Sequence, residues 1–141
     1  MTDETSTDEL PFRVLAVGDA YNLEQAKAHV LCSQAEFDHL RSTLLRHNSF
    51  PDVTSDVDWN QEMVIIVALG TRPSGGYSLT VHQVVDCRGT LTVHAREHKP
   101  LPGYGYTQAL THPRVIIAVP ARPGPVELSL TVATPEELSN G

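Results

Sequence analysis

Hydrophobic residues fall along this chain in two distinct rhythms. Met63-Val64-Ile65-Ile66-Val67-Ala68-Leu69 is an unbroken apolar run, and Val115-Ile116-Ile117-Ala118-Val119 is a second. Runs of this kind, rich in β-branched residues, predict strands buried on both faces. Elsewhere apolar and polar positions alternate. Tyr77, Leu79 and Val81 alternate with Ser78, Thr80 and His82, and Leu91, Val93 and Ala95 with Thr92, His94 and Arg96. Val126, Leu128, Leu130 and Val132 alternate with Glu127, Ser129 and Thr131. A period of two predicts strands with one wet face. Phe12 and Val14 to Val17 predict a first strand. One stretch has helical spacing: Phe37, Leu40, Leu44 and Leu45. Ser33-Gln34-Ala35-Glu36 before it is a capping box, so a helix is predicted from about Gln34 to Arg46. Residues 20–31 read two ways, since Glu24 to His29 has helical propensity while Val30-Leu31-Cys32 suits a short strand.

The punctuation between these segments is rich in proline and glycine. Gly70-Thr71-Arg72-Pro73-Ser74-Gly75-Gly76-Tyr77 turns the chain sharply between two strands. Pro73 fixes φ, Arg72 before it is pushed toward extended geometry, and Gly75 and Gly76 permit positive φ. So short a link favours an antiparallel connection. Asp86-Cys87-Arg88-Gly89 reads as a four-residue hairpin turn. Pro100-Leu101-Pro102-Gly103-Tyr104-Gly105-Tyr106 is an exposed, proline-stiffened loop, and Pro120 to Pro125 is a further turn. The fold class is α+β: one helix packed on a mainly antiparallel sheet of about five or six strands, with barrel and sandwich closure both open. Residues 1–10 read as a disordered acidic tail, 11–133 as a single domain, and 134–141 as a C-terminal tail.

The 141 residues carry a net charge of −7. That balance argues against nucleic acid or an anionic membrane as the main partner. No stretch approaches the roughly 20 apolar residues of a membrane helix. The acidic N-terminus is unlike a signal peptide, so the chain as written reads as cytoplasmic, or as an envelope or periplasmic protein if a leader has been removed. Cys32 and Cys87 read as two free thiols, with a single pairing as the alternative.

Catalytic and cofactor signals are weak. Ser74 lacks the flanking glycines of a nucleophile elbow and reads as a turn serine. Gly70 to Gly76 lacks the Lys-Ser/Thr ending of a phosphate loop, so no cofactor is expected. His82 and His94 face each other if the hairpin is counted outward from Cys87-Arg88, but no third ligand is evident, and no metal is assigned. Trp59, just before a central strand, reads as a plug at the edge of the core. Tyr104 and Tyr106 sit on a stiff exposed loop, where aromatics lose little entropy on binding.

Several of these pieces in order resemble the PrcB C-terminal domain family, named for an accessory subunit of a bacterial protease complex. They are the apolar strand from Met63, Gly70 to Leu79 with its Gly75-Gly76-Tyr77, the hairpin at Gly89, Pro100 to Gly103, and Thr111-His112-Pro113 before the strand 115–119. The resemblance implies a non-catalytic role beside a protease, and its members are commonly secreted or lipid-anchored. A second likeness, in loop spacing alone, is to chagasin-type cysteine protease inhibitors, which present three loops from one end of a β-sandwich. On either reading the expected partner is a protein. The expected contacts are the loops 71–76, 101–106 and 120–125, with Arg72, Pro73, Ser74, Gly75, Gly76, Tyr77, Tyr104, Tyr106 and Arg122 as the binding residues, Arg and Tyr being enriched at hot spots.

Overall fold

The computed structural model describes residues 7–19, 23, 25–43, 54–73, 75–100 and 110–133. Among them are eight strands and one helix. In chain order these are β1 (Thr7–Leu10), β2 (Arg13–Asp19), β3 (Lys27–Leu31), α1 (Gln34–Thr43), β4 (Glu62–Ala68), β5 (Ser78–Cys87), β6 (Thr90–His98), β7 (Pro113–Pro120) and β8 (Val126–Ala133). They form two four-stranded sheets, β1-β5-β6-β8 and β2-β7-β4-β3. The expected single sheet of five or six strands is therefore two sheets face to face, a sandwich-like arrangement and not a closed barrel. Pairing is antiparallel throughout except between β6 and β8. That parallel pair arises because β7, which lies between them in sequence, belongs to the opposite sheet.

The two continuous apolar runs occupy the centre of the second sheet, where β4 pairs with β3 on one side and β7 on the other. Period-two geometry sends their residues to opposite faces. Met63, Ile65, Val67 and Leu69, with Val115, Ile117 and Val119, enter the core between the sheets. There they meet Leu79, Val81 and Val84 of β5 and Leu91, Val93 and Ala95 of β6. Val64, Ile66 and Ile116 point the other way, into a second cluster completed by Leu31, Phe37 and Val57, with Trp59 packed at its margin. The molecule thus has three layers, helix on sheet on sheet.

The helix begins where its cap predicts. Ser33 Oγ accepts from the Glu36 amide at 3.1 Å. The Glu36 carboxylate reaches one residue further back than a reciprocal box requires, accepting from the Cys32 amide at 2.8 Å. The described helix ends at Thr43; positions 44–46 of the expected helix lie outside the described residues. In the two-way stretch before it, the strand prevails over Lys27–Leu31, because β4 supplies a ladder partner for each residue. Trp59 Nε1 donates to Gln34 Oε1 at 3.3 Å, tying the loop before β4 to the helix start. Cys32 and Cys87 are free and exposed.

Two local expectations are corrected. Thr7 to Leu10 are no tail: they form β1 against β5, with Leu10 buried opposite Val84. The polar character read as disorder is that of an edge strand with a wet face. The β5–β6 turn is shorter than four residues. Cys87 pairs with Thr90, leaving Arg88 (φ 56°) and Gly89 (φ 92°) as a two-residue turn with both φ positive. In the Gly-rich stretch Gly76 takes left-handed backbone (φ 89°), as expected, and so does Gly70 at its start (φ 93°).

Gly124 has both constraints at once. Its φ is +104°, and a Cβ there would collide with the backbone carbonyl oxygen of Gly89. Gly124→Ala is expected to lower stability by about 1–3 kcal/mol, read from urea denaturation midpoints. Gly89→Asn should cost much less, because nothing lies within 4 Å of its Cβ position and Asn tolerates positive φ.

Candidate interaction surface

The Gly-rich loop is fastened at one end of the sandwich. Leaving β4, the Leu69 amide donates to the Pro113 carbonyl at 2.9 Å. Arg72 and Thr111 then exchange both backbone hydrogen bonds, at 2.8 and 2.9 Å, as an isolated antiparallel bridge. The Arg72 guanidinium meets the Glu97 carboxylate in a two-pronged contact, Nε to Oε2 at 2.6 Å and Nη2 to Oε1 at 3.0 Å. Its Nη1 donates to the Thr71 carbonyl at 2.9 Å. Glu97 is only 4% exposed, so this is a charge-assisted fork in a partly dry setting. The hydrogen bond to Glu97 holds the Arg72 pKa above its ordinary value.

A hollow of about 300 Å³ opens beside this clamp, lined by Val17, Gly18, Gly75, Tyr77, Thr111 and Pro113 among others. Val17, on the edge strand β2, is 67% exposed, and Leu110, the residue before Thr111, is 62% exposed. Gly18 lies opposite Arg114 in the β2–β7 register. A Cβ on Gly18 would come within 3.0 Å of the Arg114 guanidinium, so the glycine makes room for a buried arginine.

The turn 120–125 is fastened at the other end. Arg122 Nη1 donates to Asp86 Oδ2 at 2.6 Å, and Asp86 Oδ1 accepts from the Gly89 amide at 2.9 Å. Arg122, then the Gly89 N–H, hold the Asp86 carboxyl below the usual carboxylate range. The Leu91 amide donates to the Pro125 carbonyl at 2.9 Å. Along β5 the two fastenings are seven residues apart, from Leu79, which pairs with Glu97, to Asp86, a span of about 23 Å at strand rise.

This layout decides which expected contact residues come together. Arg72, Pro73, Gly75, Gly76 and Tyr77 are at one end, and Arg122 is at the opposite end. Both arginines hold intramolecular carboxylates. Pro73 and Gly76 are exposed, and Gly75 and Tyr77 half-buried. Ser74, Tyr104, Tyr106 and the loop 101–106 lie outside the described residues.

His82 and His94 are neighbours as expected, with ring centroids 6.1 Å apart. A β-bulge at His82 sets the geometry, since Val81 pairs with Ala95 and Gln83 with His94. Burial, with Arg96 and His94 adding to it, lowers the His82 pKa. Among the described residues no group of three or more His, Cys, Asp or Glu is placed to hold a metal ion.

Sequence reading missed Glu97. The signal was present: the inward positions Leu91, Val93 and Ala95 lead at the next step to Glu97, and a carboxylate facing a core demands a cation. Arg114 was missed because the strand was started at Val115, one residue too late to include it.

The architecture is a helix-backed two-sheet domain with a clamped loop at each end. Within it, residues 63–120, spanning β4 to β7, match the family model described as PrcB C-terminal. No curated protein and no solved structure matches the chain.

Removing one partner of the Arg72–Glu97 fork leaves a charge stranded. Arg72→Leu is expected to cost about 3 kcal/mol, the lower end for a broken buried pair, because Arg72 keeps 23% of its side chain in water. The double variant Arg72→Leu/Glu97→Leu should recover most of that loss. A double-mutant cycle by urea denaturation checks it, and equal losses in single and double variants would remove Glu97 from the explanation.

Proposed function

We propose that this chain is a non-catalytic protein-interaction domain, acting as an accessory or stabilising subunit beside a protease. The match of residues 63–120 to the PrcB C-terminal family supports the protease association. The observation that carries the contact face is the pair of large apolar side chains left in water at the Gly-rich-loop end, Val17 and Leu110. Single exposed aliphatics are ordinary, but Val17 lines the hollow with Tyr77 and Pro113, and Leu110 directly precedes Thr111 of the same lining, an apolar area of the sort that binds proteins. The clamp at Arg72 holds the loop in one conformation before any partner arrives, which lowers the entropy lost on binding. Arg72 then acts by shaping the face, and Tyr77, Val17 and Leu110 by touching the partner.

The loop 120–125 lies at the other end of β5 and belongs to a separate surface. An inhibitor that inserts three loops from one end is disfavoured by that separation, so the accessory-subunit reading is preferred.

The test is affinity capture from the native organism with the wild-type chain and the double variant Val17→Asp/Leu110→Asp, followed by identification of what is retained. The wild type should retain a protease subunit, and the variant should retain at least about tenfold less, equivalent to 1.4 kcal/mol, with an unchanged circular dichroism spectrum. Retention of every partner by a folded variant, or recovery with no protease among the partners, overturns the reading.

A further inference from the structure

The β5–β6 ladder is irregular at one place. Val81 pairs with Ala95 and Gln83 with His94, so His82 is the inserted residue of a β-bulge. Val81, Val84, Val93 and Ala95 all enter the core, which turns His94 outward with Arg96 and His98 along β6. The bulge brings His82 to the same side. His82 is exposed and His94 half-buried, and their ring centroids stand 6.1 Å apart with the planes at 42°. A bulge commonly re-aims one side chain at a site. Here it aims one imidazole at another.

The two rings are uncommitted. No hydrogen bond or ion pair to either imidazole occurs among the described residues. His98, the next imidazole on this face, shares a hydrogen bond with Thr80 Oγ1 at 3.0 Å. Imidazole is the commonest protein metal ligand, and near neutral pH most of it is in the neutral, ligating form. With metal–nitrogen bonds of about 2.0–2.1 Å, two imidazoles on one ion have ring centres up to about 6.4 Å apart. The observed separation lies inside that reach, so one ion fits both rings after small side-chain rotations.

The surroundings select the ion. Calcium and magnesium require several oxygen ligands, and among the described residues no carboxylate or thiol joins the pair as a third ligand. Across the ladders His94 meets Gln83 on β5 and Ser129 on β8. A structural zinc ion takes four protein ligands, and two are offered here. Arg96 is close enough to act on His82 electrostatically, so a weakly held cation is repelled. Copper(II) tops the affinity order for such ligands and takes a tetragonal set of nitrogens and oxygens, in which water fills the remaining positions.

We propose that His82 and His94 form a copper(II) site on the outward face of the β5–β6 ladder, with two imidazole nitrogens from the protein and the other positions open to water or a small exchangeable ligand. The bulge at His82 is the positioning device. The site shares no residue with the hollow beside the Gly-rich loop and does not rest on the protease reading.

The test is titration of copper(II) into the full chain near neutral pH, followed by calorimetry and electron paramagnetic resonance, with zinc(II) as the comparison. Copper should bind more tightly than zinc and show hyperfine structure from two imidazole nitrogens. His82→Ala and His94→Ala should each weaken copper binding by about tenfold or more, since losing a direct ligand costs at least what losing its outer-shell partner does. His98→Ala should leave it unchanged. Arg96→Gln should tighten it, because the nearest cation is gone. These side chains all face outward, and unchanged circular dichroism spectra separate loss of binding from loss of fold. Copper bound elsewhere on the chain would survive both His82→Ala and His94→Ala. That result, no copper binding by the wild type, equal or tighter binding of zinc, an equal loss in His98→Ala, or weaker binding in Arg96→Gln each overturns the proposal.

Discussion

Met63, Ile65, Val67 and Leu69 leave water on one side of β4 while Val64 and Ile66 leave it on the other, and β7 does the same with Val115, Ile117 and Val119 against Ile116. A strand pair buried on both faces needs a layer on each side. The β1-β5-β6-β8 sheet supplies one and α1 with Trp59 supplies the other. Each covering layer needs only one apolar face, which is why β5 and β6 alternate and why Phe37 suffices as the buried residue of α1. The rest of the architecture follows from covering those two strands, since apolar area removed from water is the main favourable term in folding.

Polar devices finish what burial begins. Glu97 sits at the inward position of β6 where the core meets the Gly-rich loop, and Arg72 answers it with a fork that lysine has no geometry to reproduce. The fork links a loop leaving one sheet to a strand of the other. At the far end Arg122 and Asp86 make the equivalent link between the 120–125 turn and β5. The same arginines that composition marks as hot-spot residues are thus spent inside the molecule. Val17 and Leu110 stay exposed at the Gly-rich-loop end.

Features set by near neighbours in sequence were legible. The capping box placed the helix start, the two apolar runs identified the doubly buried strands, and the alternation in 77–82 and 91–96 gave the wet-faced pair. Features set by distant partners were not. Nothing local in Thr7 to Leu10 says that β5 has an edge for it to join. Nothing in the spacing of the proline-rich turns says that β5 will hold 71–76 and 120–125 at opposite ends. The two sheets were read as one because alternation reports a wet face without saying which layer lies behind the dry one. The PrcB C-terminal resemblance was legible because its elements are short and ordered along β4 to β7, the segment the family model covers.

The Arg72–Glu97 fork holds the Gly-rich loop as a rigid part of the domain. Native-state hydrogen exchange of the Arg72 and Thr111 amides, which bond to each other's carbonyls, addresses it directly. In the wild type both amides should be protected nearly as well as those of β4 and β7. In Arg72→Leu they should exchange through local opening while β4 and β7 stay protected above them. Rapid exchange of both amides in the wild type, or protection unchanged relative to β4 and β7 in the variant, would contradict it.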